Sequence, residues 1–504
     1  MHNKKELLQA GGGILCLVAG AYLALHSMRG YAERRYVVDP AACQMNLLML
    51  SPSNLPAEAE RGSVVLLHGL SANNIIMQHL ARAFVNLGLR VYIPDLPGHG
   101  HSPGPFTPER AESCTASLLR GLAARGMIVP DRTVLVGHSM GGAIALSVAE
   151  KFRPAGVIAL SPAPMIASHG ATSEDLLFHR LPLPTANTLI LVGQLEPEVI
   201  VANAADLAAH SPDLVKFVKV PWNTHVGVLF SGAVARESQE WAAHALRIPD
   251  NAQLPTRANV FAGVLGIIGV LLIGGPFLRE MVGKKPAVDI AEADSVPRWR
   301  GIVETLLFSV VAIYVLHYWQ PSRILHLFEG DYLAGFFLFV GFGLILLHLG
   351  LARKVFRCPP GLVISGAVAA ILLLLLLTGW FELTAMASWL NLQRWLRLPL
   401  FAIAAFPFFY ALELLAGPVM NGVKRYAYWF FLPVLAWLAL SYGVLYQRSG
   451  EILPVLLAPY FALVFLLVGA GIQLVRRVSG SATVAAVFGA ILLAGFCLVL
   501  FPLT

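Results

Sequence analysis

From residue 258 onward the chain alternates between almost uncharged apolar runs and short charged loops. The runs fall at 258–278, 302–322, 332–352, 361–381, 398–417, 426–447, 452–475 and 481–502. Each is long enough for a helix to cross a hydrocarbon layer of about 30 Å. A ninth run, 7–28, comes after Lys4 and Lys5. Its length and the lack of a small-residue cleavage site favour a retained anchor over a cleaved secretory signal, and both readings export the segment beyond it. Residues 31–250 have another texture, with ordinary charge density, short apolar runs ended by Gly or Pro, and helical patterns between them. That alternation predicts a soluble α/β domain. The expected organisation is an N-terminal transmembrane anchor (1–30), an α/β domain (31–250) and an all-α domain of about eight transmembrane helices (251–504).

Composition strengthens the membrane reading, because 57% of the 504 residues are hydrophobic and only 13% charged, against about 25% charged in an ordinary soluble domain. Lys and Arg in short loops are retained on the cytoplasmic side. With the N-terminus inside, the inner segments hold Lys4, Lys5, Arg279, Lys284, Lys285, Arg298, Arg300, Arg353, Lys354, Arg357, Lys424, Arg425, Arg476 and Arg477. The outer short loops hold Arg323, Arg394, Arg397 and Arg448, while Arg29, Arg34, Arg35 and Arg257, flanking the exported domain, count against the bias. The expectation is an inner-membrane, multi-pass protein with a cytoplasmic N-terminus and both the α/β domain and the C-terminus outside. Cys43 and Cys114 are the two cysteines of the exported domain; Cys16 and Cys497 lie in apolar runs and Cys358 in an inner loop. Whether Cys43 and Cys114 pair is left open by spacing. No zinc-type cysteine spacing, Walker loop or nucleic-acid signature appears, so no metal, cofactor or nucleic-acid partner is expected, and the excess positive charge belongs to the inner loops.

Candidate chemistry centres on GHSMGG, residues 137–142. RTVLV (132–136) reads as a strand and GAIALSVAEKF (142–152) as a helix, so Ser139 sits on a strand-turn-helix elbow among small residues. A hydroxyl needs a base, an orienting acid and an oxyanion site to attack a carbonyl at neutral pH. Upstream, SVVLLHG (63–69) is a strand leading into Leu70, whose backbone N–H pairs with that of Met140 as oxyanion donor. His68, Gly69 and His138 beside these groups are assigned to the substrate site, His68 shaping its loop rather than acting as the base. RVYIPD (90–95) is a further strand, and Asp95 with the histidines of LPGHGHS (96–102) reads as loop scaffolding. After the serine, TLILV (188–192) is a strand followed by Glu196, the expected acid, with Asp213 and Asp206 in reserve. LVKFVKV (214–220) precedes His225, the expected base, again at a strand's carboxyl end.

The order Ser, acid, His, together with LLHGLSANN, VYIPDLPGHGHSPG, VLVGHSMGGAIAL, LILVGQLEPEV and WNTHVGVLF, resembles the α/β-hydrolase superfamily over about residues 44–247, especially the branch of monoacylglycerol lipases and serine-aminopeptidase-like hydrolases. The resemblance implies Ser139 as nucleophile, Leu70 and Met140 as oxyanion donors and His225 as general base. The chain departs from it twice. Glu196 stands where the family commonly has aspartate, and the stretch between 163 and 188 is too short for the helical cap of many relatives. A roof supplied by the outer face of the membrane domain or by the bilayer is therefore expected, with Trp319, Trp380, Trp389 and Trp395 near outer helix ends and 383–397 as a segment lying flat on the surface.

Taken together, these features predict a membrane-embedded serine hydrolase acting through an acyl-enzyme on a lipid or lipid-linked ester. Two alternatives stand beside it. One is an acyltransferase using the same triad. The other is a transport or lipid-handling module with an attached hydrolase, for which intramembrane ionisable groups are the expected mark. Glu413, Glu304 and His348 are its candidates, but their places near inner helix ends favour helix packing. Oligomeric state is not legible.

Overall fold

A first helix, α1 (Lys4–Ser27), leads into eight strands. They are β1 (Tyr31–Val38), β2 (Met45–Pro52), β3 (Ser63–Leu67), β4 (Arg90–Pro94), β5 (Thr133–His138), β6 (Gly156–Leu160), β7 (Thr188–Gly193) and β8 (Val215–Val220). They form one sheet in the order β1-β2-β4-β3-β5-β6-β7-β8. β1 and β2 pair antiparallel at one edge, and β3 to β8 are parallel. The computed structural model describes residues 4–53, 61–163, 181–250, 253–283, 296–356, 359–385, 387–417, 422–447 and 451–504.

The parallel strands are unbroken apolar runs because helices cover both faces. Every residue of β3, β5, β6 and β7 is buried. The crossover helices are α2 (Gln78–Asn86), α3 (Pro108–Ala124), α4 (Met140–Phe152) and α5 (Glu198–His210), with α6 (Gly232–Leu246) after the last strand. α2 packs with α6, and α3 with α4; right-handed crossovers put these pairs on opposite faces. Leu66, Phe84, Val136, Leu191 and Val234 lie in one continuous core. Cys43, just ahead of β2, and Cys114 in α3 form a disulfide, which closes the question the spacing left open.

The remaining long helices are α7 (Ala258–Val282), α8 (Arg298–Tyr318), α9 (Gly330–Leu347), α10 (Pro360–Thr384), α11 (Leu392–Ala416), α12 (Gly422–Gln447), α13 (Ala458–Ser479) and α14 (Ala482–Leu500). With α1 they make nine helices, among the described residues, that are long and apolar enough to cross a membrane. The fold is thus an α/β sheet followed by an all-helical, apolar C-terminal region, as expected.

The chain forms two compact units. The sheet unit comprises Gly20–Gly263, Phe381–Ser388 and Pro502–Thr504, and the helical unit Met1–Ala19, Val264–Trp380 and Trp389–Phe501. In the helical unit, α9 meets the backbone of α11 so closely that a Cβ on Gly341 would lie 2.1 Å from Phe408 N. Small residues allow such approach where apolar burial alone does not drive association. Glu413, fully buried, pairs with Arg425 at 2.7 Å and Arg476 at 3.5 Å, tying α11 to α12 and α13. Glu304 pairs with His348 at 2.6 Å and Arg300 at 2.5 Å. All three ionisable residues singled out from the sequence are therefore ion-paired within the helical unit. Glu413→Ala strands two cations, and the expected cost is about 3–5 kcal/mol; unfolding of the full chain in mixed detergent measures it.

The segment 383–397 is not one flat helix. It divides into the end of α10, irregular chain over 387–391 and the start of α11, because the Asn391 side chain caps α11 by accepting from Arg394 N. Met386 lies outside the described residues, as do Lys284, Lys285, Arg357, Cys358 and Arg448 and most of the short cap region, 164–180.

Candidate active site

β5 ends at His138 and α4 starts at Met140, leaving Ser139 as the single residue of the turn. Its backbone has φ 54° and ψ −121°, a conformation costing about 1–3 kcal/mol that persists only where neighbours enforce it. The enforcement is steric: a Cβ on Gly137 would lie 2.1 Å from Gly141 O, and one on Gly141 would lie 2.4 Å from Leu67 O. The strand, elbow and helix are thereby pressed together, and the hydroxyl stands at the carboxyl edge of the sheet.

Two further loops at that edge bring the partners. β7 and β8 pair in register to Gly193 and Val220, and beyond their ends Gln194 N donates to Val220 O at 2.9 Å and Leu195 N to Asn223 O at 2.9 Å. This zipper carries Glu196 and His225 forward side by side. His225 Nε2 lies 2.9 Å from Ser139 Oγ, and His225 Nδ1 lies 2.7 Å from Glu196 Oε2. The Glu196 side chain is fully buried and that of His225 is 11% exposed. Asp206 instead pairs with His210 on the exposed surface of α5, and Asp213 is exposed, so neither reserve acid reaches the histidine.

Sequence reasoning missed Ser161. Its hydroxyl donates to Glu196 Oε1, leaving the other oxygen for the imidazole. The residue follows β6 directly, one strand from the nucleophile, and is fully buried. A serine at the carboxyl end of a central strand was the available signal, but only the fold brings it to the acid.

Gly69 and His138 flank the nucleophile. A Cβ on Gly69 would lie 2.9 Å from Ser139 Cβ and 3.0 Å from His138 Nδ1, so only glycine lets the loop pass. Among the described residues, the N–H groups of Leu70 and Met140 donate to no protein acceptor. His138 Nε2 donates to the His225 carbonyl at 2.8 Å, and the two rings lie 4.9 Å apart. Burial, with His225 adding to it, lowers the His138 pKa to about 3, so its ring stays neutral. His68 stands beside the nucleophile's loop. It is fully buried, with Nε2 accepting from Leu96 N at 2.9 Å and Nδ1 donating to Gly69 O at 2.8 Å, so both nitrogens are spent on backbone and it shapes the loop. Burial lowers its pKa to about 4.

Asp95 likewise supports loops, accepting from Asn74 N at 2.7 Å and His101 N at 3.0 Å. Burial raises its pKa to about 6. His101 faces Glu382 at 2.9 Å, Asp95, and Arg35. The hydrogen bond to Glu382 raises the His101 pKa against the opposing effect of burial. A histidine with a raised folded pKa stabilises fully below its unfolded value of about 6.5 and loses that contribution as pH rises through the folded value. The thermal stability advantage of the wild type over His101→Gln is therefore expected at pH 5–6 and should shrink toward pH 9. A difference constant across that range would contradict it.

The alpha/beta hydrolase family profile matches residues 64–334. Over 211 residues the chain is 32% identical to a monoacylglycerol lipase of Mycolicibacterium smegmatis, covering 41% of this chain and 67% of that protein. Over 103 residues it is 38% identical to the sn-1-specific diacylglycerol lipase ABHD11 of Mus musculus, covering 20% of this chain and 32% of the relative. The chain thus spans about two thirds of the first relative's length and about one third of the second's. Among solved structures, an α/β serine hydrolase from Xanthomonas campestris shares 17% identity at a TM-score of 0.34, over 43% of this chain and 94% of that one.

Proposed function

Because this chain belongs to the α/β hydrolase family and is a serine hydrolase of the esterase and lipase type, we propose that it cleaves a long-chain acyl ester of a lipid through a Ser139 acyl-enzyme. The observation that carries this reading is the unbroken line from Ser139 Oγ to His225 at 2.9 Å and on to Glu196 at 2.7 Å. His225 accepts the hydroxyl proton as Ser139 attacks the ester carbonyl, and the buried Glu196 holds the imidazole in the tautomer that leaves Nε2 free to accept. The tetrahedral oxyanion is met by the N–H groups of Leu70 and Met140, the latter at the positive end of α4. His225 then returns the proton to the departing alcohol. Water, activated the same way, releases the fatty acid. Neutral His138 keeps a second positive charge from forming beside the imidazolium.

The relatives named for monoacylglycerol and diacylglycerol substrates favour an acylglycerol-like ester. The apolar helices favour a lipid bilayer as the enzyme's location. Parity supports the orientation read from the sequence: among the described residues four helices of crossing length, α7 to α10 and then α11 to α14, separate the three pieces of the sheet unit each time, which suits one side for all three and the other side for the N-terminus beyond α1. The excess of Lys and Arg on the N-terminal side makes that side cytoplasmic, and the Cys43–Cys114 disulfide suits an oxidising compartment outside it. Purified full-length protein is expected to release fatty acid from 1-oleoylglycerol and to take up a fluorophosphonate at Ser139. Labelling without release from any acylglycerol would overturn the substrate class.

A further inference from the structure

Two pieces of chain remote from the α/β sequence belong to the sheet unit, and both attach at the edge that holds Ser139. The first is Phe381–Ser388. The Asn73 side chain, 1% exposed, grips it from both sides, with Oδ1 accepting from Ala387 N at 2.9 Å and Nδ2 donating to Ala387 O at 3.3 Å. Glu382 accepts from Ser388 N at 2.6 Å and binds His101 at 2.9 Å with Arg35 at 3.7 Å. The second piece is Pro502–Thr504. Leu503 N donates to Gly98 O at 3.0 Å, and Phe106 N donates to Leu503 O at 2.7 Å, with Leu503 almost wholly buried. The fit is close enough that a Cβ on Gly98 would lie 2.5 Å from Leu503 O.

Besides the Arg35 contact from β1, the hydrogen bonds given above fall on two loops. Asn73 lies three residues after the oxyanion donor Leu70, at most about 11 Å of extended chain. Gly98, His101 and Phe106 lie on the loop after β4, which Asp95 braces to the Asn73 loop through Asn74 N. Ala387 follows the end of α10 by three residues, and Leu503 follows the end of α14 by the same number. Each of those helices is an apolar run of membrane-crossing length, whose end stays at the interface because its backbone and side chains are matched to hydrocarbon. With those helices spanning a bilayer, the oxyanion loop would be tied within a few residues of its surface.

We propose that the Asn73–Ala387 and His101–Glu382 contacts form a latch that holds the mouth of the Ser139 site on the bilayer, so that its substrate is an acyl lipid taken sideways from the adjoining leaflet rather than from water. The proposal rests on the serine-hydrolase reading of Ser139. The advantage of such delivery grows with chain length, because each methylene drawn into water disfavours transfer roughly fourfold. A short soluble ester gains nothing from the latch, whereas a long acyl chain depends on it.

The test uses full-length protein in phosphatidylcholine vesicles, assayed on 1-oleoylglycerol held in the vesicle and on p-nitrophenyl acetate in solution. The double variant Asn73→Ala with Glu382→Gln, and Glu382→Gln alone, should lose tenfold or more of lipid turnover, the double variant losing more. Acetate turnover and the rate of fluorophosphonate labelling should stay within about twofold of wild type. Equal loss on both substrates would mean a general structural role and would overturn the latch, as would unchanged lipid turnover. A wild type inactive on both substrates would instead remove the hydrolase reading beneath it.

Discussion

Replacing Ser139 with alanine is expected to lower ester turnover by about four orders of magnitude or more and to abolish fluorophosphonate labelling, since among the described residues no other hydroxyl meets His225 Nε2. Activity and stability should separate in this variant. The φ of 54° at position 139 is imposed by the close contacts of Gly137 and Gly141, and alanine meets the same backbone strain as serine, so thermal unfolding should be nearly unchanged. Turnover of p-nitrophenyl butyrate alongside an unfolding curve checks both halves. Turnover at the wild-type rate would remove the elbow serine from the chemistry.

Glu196→Gln should be almost as damaging, by about 10⁴ in kcat with little change in KM. The carboxylate has two tasks that an amide cannot combine. One oxygen accepts from the Ser161 hydroxyl and the other from the His225 Nδ1–H. Turning an amide NH2 toward Nδ1 moves the ring proton to Nε2, where it blocks acceptance from Ser139, and removes the negative charge that stabilises the imidazolium. Single-turnover measurement of acyl-enzyme formation reads this directly. A loss under tenfold would show that another carboxylate supports the histidine.

The parts of the molecule legible in advance share one property, in that their pattern repeats over neighbouring residues. The apolar runs became α1 and α7 to α14, and VVLL, TVLVG and TLILVG became buried central strands. Ser139, Glu196 and His225 could be nominated in advance because each lies on a loop at the carboxyl end of a strand, and parallel strands bring their carboxyl ends together whatever the loops contain. β1 was not legible. YAERRYVV carries three consecutive charged residues and forms a strand only because β2 supplies a partner along its whole length. His68 was only half legible for a related reason, since a histidine before a glycine reads the same whether its nitrogens face a ligand or, as here, backbone.

By itself, then, the amino-acid order determined that this chain has an α/β body, a series of bilayer-length helices and a serine elbow, because periodicity and strand-end position are local properties. Tertiary structure decided which side chains meet: Ser161 with Glu196, Cys43 with Cys114, Glu413 with two arginines, and Asn73 with a residue 314 positions away. Each such pair depends on the summed path of the chain between its members. No window of sequence holds that path, and only the packed sheet and helices bring it to a contact.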